Sequence, residues 1–167
     1  MAKQSEIERL GAEAALHERN AATIHGSMSS KPSPDDYQLA ELAQREADRA
    51  TDKRALAKHI LNEKIGKLMD YFQERSGCTV SHDWNIDLQS HRFYFHGDKE
   101  RGWKFILDVH QDDVEEQEVA EIIQHLNVAN WQKVLEIHAG KRVAYFKDCR
   151  FSDPTAFREW PRKVPAK

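Results

Sequence analysis

Cysteine is nearly absent from this sequence: Cys78 and Cys149 are the only two, and neither sits in a CxxC or a zinc-knuckle spacing. That scarcity argues against a disulfide framework and fits a reducing, cytoplasmic setting. No run approaches the ~18 apolar residues of a membrane span. The opening Met1-Ala2-Lys3-Gln4-Ser5-Glu6 lacks the apolar stretch of a secretory signal. Phosphate-binding loop, dinucleotide fingerprint, serine nucleophile elbow and HExxH pair are all missing. These gaps remove the common enzyme signatures and imply no cofactor and no membrane. A strong charge of one sign is also lacking, and the net value of −3 is too small for wholesale nucleic-acid coating or mimicry.

What the chain does have is 167 residues, 40% of them hydrophobic and 32% charged, enough for one domain plus an extension. The charge is unevenly spread. Residues 1–76 carry −1, residues 77–148 carry −5 and residues 149–167 carry +3. An almost neutral first part therefore leads into an acidic middle and a basic tail.

Residues 3–25 have the apolar spacing of a helix, with Ile7, Leu10, Ala14, Ala21 and Ile24 on one stripe and Gly26 as its stop. Ser33-Pro34-Asp35-Asp36 is a helix start, combining a capping hydroxyl, proline at the first helical position and two carboxylates at the positive end of the dipole. The helical pattern then continues to Ser76, where Gly77 supplies a left-handed stop. Unbroken, this helix spans ~63 Å; alternatively, Thr51-Asp52 caps a third helix and divides it. Its later part carries Ala57, Leu61, Ile65, Leu68 and Phe72 on one face, each large side chain worth roughly 1.5–3 kcal/mol on burial. Its earlier part offers Leu39, Leu42, Ala43, Ala47 and Ala50 in an otherwise polar run, with good helix propensity and weak anchoring.

Beyond Gly77 the period becomes two. Val80, His82, Trp84, Ile86 and Leu88 alternate with polar residues as in a half-buried strand. Arg92 to His96 forms a second strand, and Trp103, Phe105, Leu107 and Val109 mark a third. Asp112-Asp113 open a helix, with Glu115 at capping-box spacing from Asp112 and with Val119, Ile122, Ile123 and Leu126 on its buried face. Lys133–His138 and Lys141–Phe146 are read as a hairpin turning at Ala139-Gly140; a short helix through Trp131, Leu135 and His138 competes with it. The expected architecture is α+β. A long-helix arm over 1–54, as a helical hairpin or coiled coil, precedes a mostly antiparallel sheet of about five strands with a packed helix over 55–148. A basic, aromatic, proline-containing tail occupies 149–167.

Nine histidines invite a metal or acid–base reading, which the spacing mostly refuses. His91 and His96 project to opposite faces of one strand. His17, His25 and His59 lie on the arm helices without a partner motif. Cys78 and His82 are roughly 13 Å apart in extended chain, too far for a thiol–imidazole bond. His110 with Asp112, joined by His82, is the remaining centre for a histidine-dependent metal enzyme; caps and an exposed strand end account for the same residues.

The composition points first to a non-enzymatic interaction or regulatory protein, an inhibitor or adaptor, docking on a protein partner or on a second copy. The residues expected at that contact are Leu39, Leu42 and Ala43 of the arm and Asp112 and Glu116 of the acidic surface. A weaker alternative is nucleic-acid association. It uses Arg150, Arg158, Trp160, Arg162 and Lys163 of the tail, where aromatics interleave with cations, and a cationic hairpin face of Lys133, Lys141, Arg142 and Lys147.

Overall fold

Ser5 opens the first helix, α1 (Glu6–Gly26), by a reciprocal cap: its hydroxyl accepts from the Glu8 N–H, and the Glu8 carboxylate accepts from the Ser5 N–H. This computed structural model describes residues 5–28, 33–97, 104–140 and 142–152. The same device starts α2 (Pro34–Ser76), where the Ser33 N–H donates to Asp36 Oδ2 at 2.7 Å and the Asp36 N–H to Ser33 Oγ at 3.4 Å. The helix then runs 43 residues without a break. Thr51 caps nothing, because its hydroxyl donates back to the Ala47 carbonyl at 3.0 Å inside the same helix. Gly77 ends it as expected, at φ +69 with its N–H on the Gln73 carbonyl.

Two compact units result, Met1–Glu63 and Lys64–Lys167, with α2 contributing to both. In the first, α1 and the early part of α2 lie antiparallel, since Glu13 meets Lys53 while Asn20 meets Glu46. Between them is a seam of small side chains. Ala14, Ala21, Ala43 and Ala50 are buried, joined by Ile7 and Leu10 toward one end.

The second unit is a five-stranded sheet in the order β1 (Thr79–Asn85), β2 (Ser90–His96), β3 (Lys104–His110), β4 (Val143–Lys147) and β5 (Arg150–Phe151). Neighbours are antiparallel except β3 and β4, which are parallel. A parallel pair needs a crossover, and three helices between the strands supply it: α3 (Gln111–Glu116), α4 (Val119–Val128) and α5 (Trp131–Ile137). The core lies on one sheet face. Phe72 of α2 packs against Phe93 at 5.1 Å and Phe95 at 5.5 Å between ring centres, and Trp131 of α5 sits 5.2 Å from Phe72.

Several local expectations are corrected. Residues 133–138 do not form the strand of a hairpin turning at Ala139-Gly140, because Trp131 and Leu135, four apart, are both buried on one side of α5. The Trp131 indole N–H lies 3.2 Å from both Tyr71 Oη and Asn127 Oδ1, which holds that helix in place. The two-residue turn is instead Asp148-Cys149, both at positive φ, joining β4 to β5. Alternation continues in sequence to Leu88, but β1 stops at Asn85, whose side-chain oxygen accepts from the Asp87 and Leu88 N–H groups and closes a turn. The acidic helix is two helices. Gln117 is extended between them, and the buried Lys64 ammonium donates to the carbonyls of Val114, Glu115 and Gln117 where α3 ends. The cap of α3 is His110, whose Nδ1 accepts from the Asp112 N–H at 3.2 Å; the expected Asp112–Glu115 box does not form.

Candidate functional site

The arm surface is built by what alanine leaves over. Beyond Ile7 and Leu10 the seam is made of small residues, and several larger apolar side chains of this unit stand outside it: Leu16 is 50% exposed, Tyr37 72%, Leu42 47% and Leu56 45%. Leu42 and Leu56 are fourteen apart, four helical turns, and so share a face with Arg49 between them. Beside Leu42 a groove of about 390 Å³ is bounded by Asn20, Thr23, Ile24, Arg45, Glu46 and Arg49. Glu46 organises its wall, lying 2.7 Å from His17 Nδ1, 3.2 Å from Asn20 Nδ2 and 2.7 Å from Arg49. The His17 contact, then those of Asn20 and Arg49, hold the Glu46 carboxyl below its ordinary value. Lys53 does the same for Glu13.

Of the contact residues expected from sequence, Leu42 is exposed and Leu39 half-buried, whereas Ala43 is fully buried in the seam and cannot reach a partner. Asp112 and Glu116 are exposed on α3, in the other unit. Arg150 is exposed on β5; Arg158, Trp160, Arg162 and Lys163 lie outside the described residues. The cationic hairpin face is not formed as expected, because Lys133 belongs to α5; Lys147 and Arg150 are partners across β4 and β5.

The chemistry-bearing groups of the second unit fall into separate clusters. On the face away from the core, Arg92 makes a two-pronged pair with the fully buried Asp108 at 2.7 and 2.8 Å, which raises the guanidinium's affinity for its proton. Tyr145, opposite Asp108 in the register, is pushed up to about 12 by burial and then by the carboxylates of Asp108, Asp113, Asp112 and Asp148. Near the β4–β5 turn, His125 Nδ1 donates to Gln117 Oε1 at 2.9 Å, and Gln117 Nε2 donates to Asp113 Oδ1 at 2.8 Å and Cys149 Sγ at 3.1 Å. Burial raises Asp113 despite the Cys149 N–H and thiol beside it, and raises the Cys149 thiol too. A thiol shifted upward, with a glutamine rather than an imidazole against it, is a poor nucleophile.

Of the histidine-centred group, His110 and Asp112 do meet, Nδ1 to Oδ2 at 3.2 Å, but His82 is not with them. His110 is buried rather than exposed, caps α3, and lies opposite Ser90 in the register, on the face away from the core; His82 lies opposite Phe93, on the core face. Among the described residues, no three histidine, cysteine, aspartate or glutamate side chains converge as a metal would require. Sequence reasoning missed the pairing of His82 with His91, whose Nε2 and Nδ1 are 3.0 Å apart, and the central role of Gln117. The first was within reach once the strand register was fixed, because both histidines belong to the inward-facing alternation; the second depends on how α3 ends and left no local signal. No family model, no curated protein and no solved structure matches the chain.

Proposed function

We propose that this is a non-enzymatic interaction protein of the regulatory, inhibitor or adaptor kind, whose helical arm docks on a protein partner or on a second copy of the chain. The observation that carries the reading is the packing of the arm: a seam of four alanines with Ile7 and Leu10 at one end, Leu16, Tyr37, Leu42 and Leu56 outside it, and a groove with two arginines beside Leu42. Single exposed leucines are ordinary on a protein surface. Here they accompany a concave site on a unit whose own interior is thin, and a partner that covers them adds the apolar area the seam does not supply. The partner chemistry that fits is an apolar side chain entering beside Leu42 with acidic residues near Arg45 and Arg49. A cytoplasmic setting agrees with the unpaired Cys78 and Cys149. Among the described residues, no helix is long and apolar enough to cross a membrane.

The test is a full-length L42E/L56E variant. Each covered leucine is worth roughly 1.5–3 kcal/mol, so the double change should weaken capture of the partner, or self-association seen by light scattering, by about 100-fold or more with helicity unchanged. Equal capture and equal solution mass in the variant would refute the reading. A gain of mass in the parent protein alone, without a second species, would identify the partner as another copy.

A further inference from the structure

At the edge of the sheet, β1 has β2 as its strand neighbour. The register sets Trp84 opposite His91 and His82 opposite Phe93, so His82 and His91 are diagonal neighbours on the core face. Their rings are stacked, 5.2 Å apart with 26° between planes, and His82 Nε2 lies 3.0 Å from His91 Nδ1. Trp84 closes over His91 at 4.9 Å. His91 is only 3% exposed, and its Nε2 has no hydrogen-bond partner among the described residues.

A nitrogen–nitrogen contact of this kind holds one proton between the rings: one imidazole donates and the other accepts. It survives in the neutral pair. It survives also when the half-exposed His82 takes an extra proton, because His91 Nδ1 still accepts. A second extra proton makes both facing nitrogens donors, places two like charges side by side, and leaves the charged His91 ring beneath Trp84 with its Nε2–H unanswered. Apart from its ladder with β2, the described hold on the strand lies at its start, where Val80 is buried and its N–H donates to Gln73 Oε1 at 3.2 Å; Trp84, at the other end, is 40% exposed.

We propose that the His82–His91 pair is a proton-operated latch, which fastens β1 to the sheet until both rings are charged and then releases the strand with Trp84. The direction of each ring's titration agrees. Burial, then the neighbouring His82, brings His91 down to about 4, and burial lowers His82 against the opposing pull of Asp83. Of the other charges nearby, Asp83 lies opposite Arg92 on the far face, where Arg92 and Asp108 already neutralise each other. A histidine depressed by folding leaves stability unaffected above its ordinary value of 6.5; stability drains away as pH falls from there toward about 4, because His91 of β2 accepts the proton readily only once β1 has left it.

Amide exchange of the full-length chain between pH 7 and 3.5, corrected for intrinsic rates, tests this directly. Protection of residues 79–85 should fall about tenfold or more between pH 6.5 and 4 while α4 and α5 stay protected. The His91→Phe variant, which keeps an aromatic ring and removes the second proton, should hold its β1 protection to within about twofold. Loss of β1 protection only together with the whole unit, or an identical loss in His91→Phe, overturns the latch. Should that variant fail to fold, imidazole NMR of the unaltered chain decides: two coupled steps, the second coincident with β1 exchange, support it, and two independent titrations near 6.5 refute it.

Discussion

Lys64 shows how much a single side chain can do without any function of its own. It is 8% exposed, and its ammonium sits within 3.1, 3.3 and 2.6 Å of the Val114, Glu115 and Gln117 carbonyls, the groups a helix end leaves without partners. Replacing it by methionine keeps the stem and removes every donor. K64M should therefore cost about 2–3 kcal/mol, read as a lower midpoint in denaturant melting of the second unit; a change below a few tenths would contradict the assignment. Nothing in sequence marked this lysine, which stands in a helical run where charged residues are ordinary. Its role arises from a contact fifty residues away. Cys149 teaches the opposite lesson: a cysteine without any motif spacing is set by the structure against Gln117 and Asp113.

Among the elements, helices were legible where their ends carried local chemistry. Ser33-Pro34-Asp35-Asp36 and Gly77 bound α2 as read, and the stripe Ile7, Leu10, Ala14 and Ala21 is the buried face of α1. Residues 131–137 were misread because their apolar spacing serves a short helix and a strand alike, and only the seating of Trp131 against Tyr71 and Phe72 decides between them. The arm seam makes a sharp prediction of its own. Ala43 has no exposed surface, so Ala43→Leu forces several methyl groups between two helices and should destabilise the arm by about 1–3 kcal/mol. Amide exchange in α1 should rise accordingly while that of β2 and β3 does not. The polar flank adds a pH dependence. Because His17 and its neighbours hold Glu46 below the ordinary 4.5, its contribution to the arm is fully present above that value and is lost as pH falls through the lowered one. Glu46→Gln should flatten this acid-side loosening in circular dichroism of the arm; an unchanged profile would place the effect elsewhere.

For the molecule as a whole, composition foretold a helical arm before an α+β unit, and the structure has both. The α+β class was readable because the hydrophobic period changes at Gly77 from that of a helix to that of a strand. Strand order was not. The parallel seating of β4 against β3 depends on three helices folding over one sheet face, and no pairwise pattern in the sequence records it. The exposure of the candidate site was half legible: of the residues read from the arm pattern Leu42 is exposed, but Ala43 is buried, since spacing alone does not say which side of a helix meets its neighbour. The crossover also sets an order of events. While the chain emerges, β1 to β3 can zip up as soon as they are made, yet the outer rim of β3, with Leu107 and Val109, waits for residues after Val143. A product cut short before that point would carry a naked strand rim, prone to clump with its kind, so the five residues of β4 double as the cover that keeps newly made molecules apart.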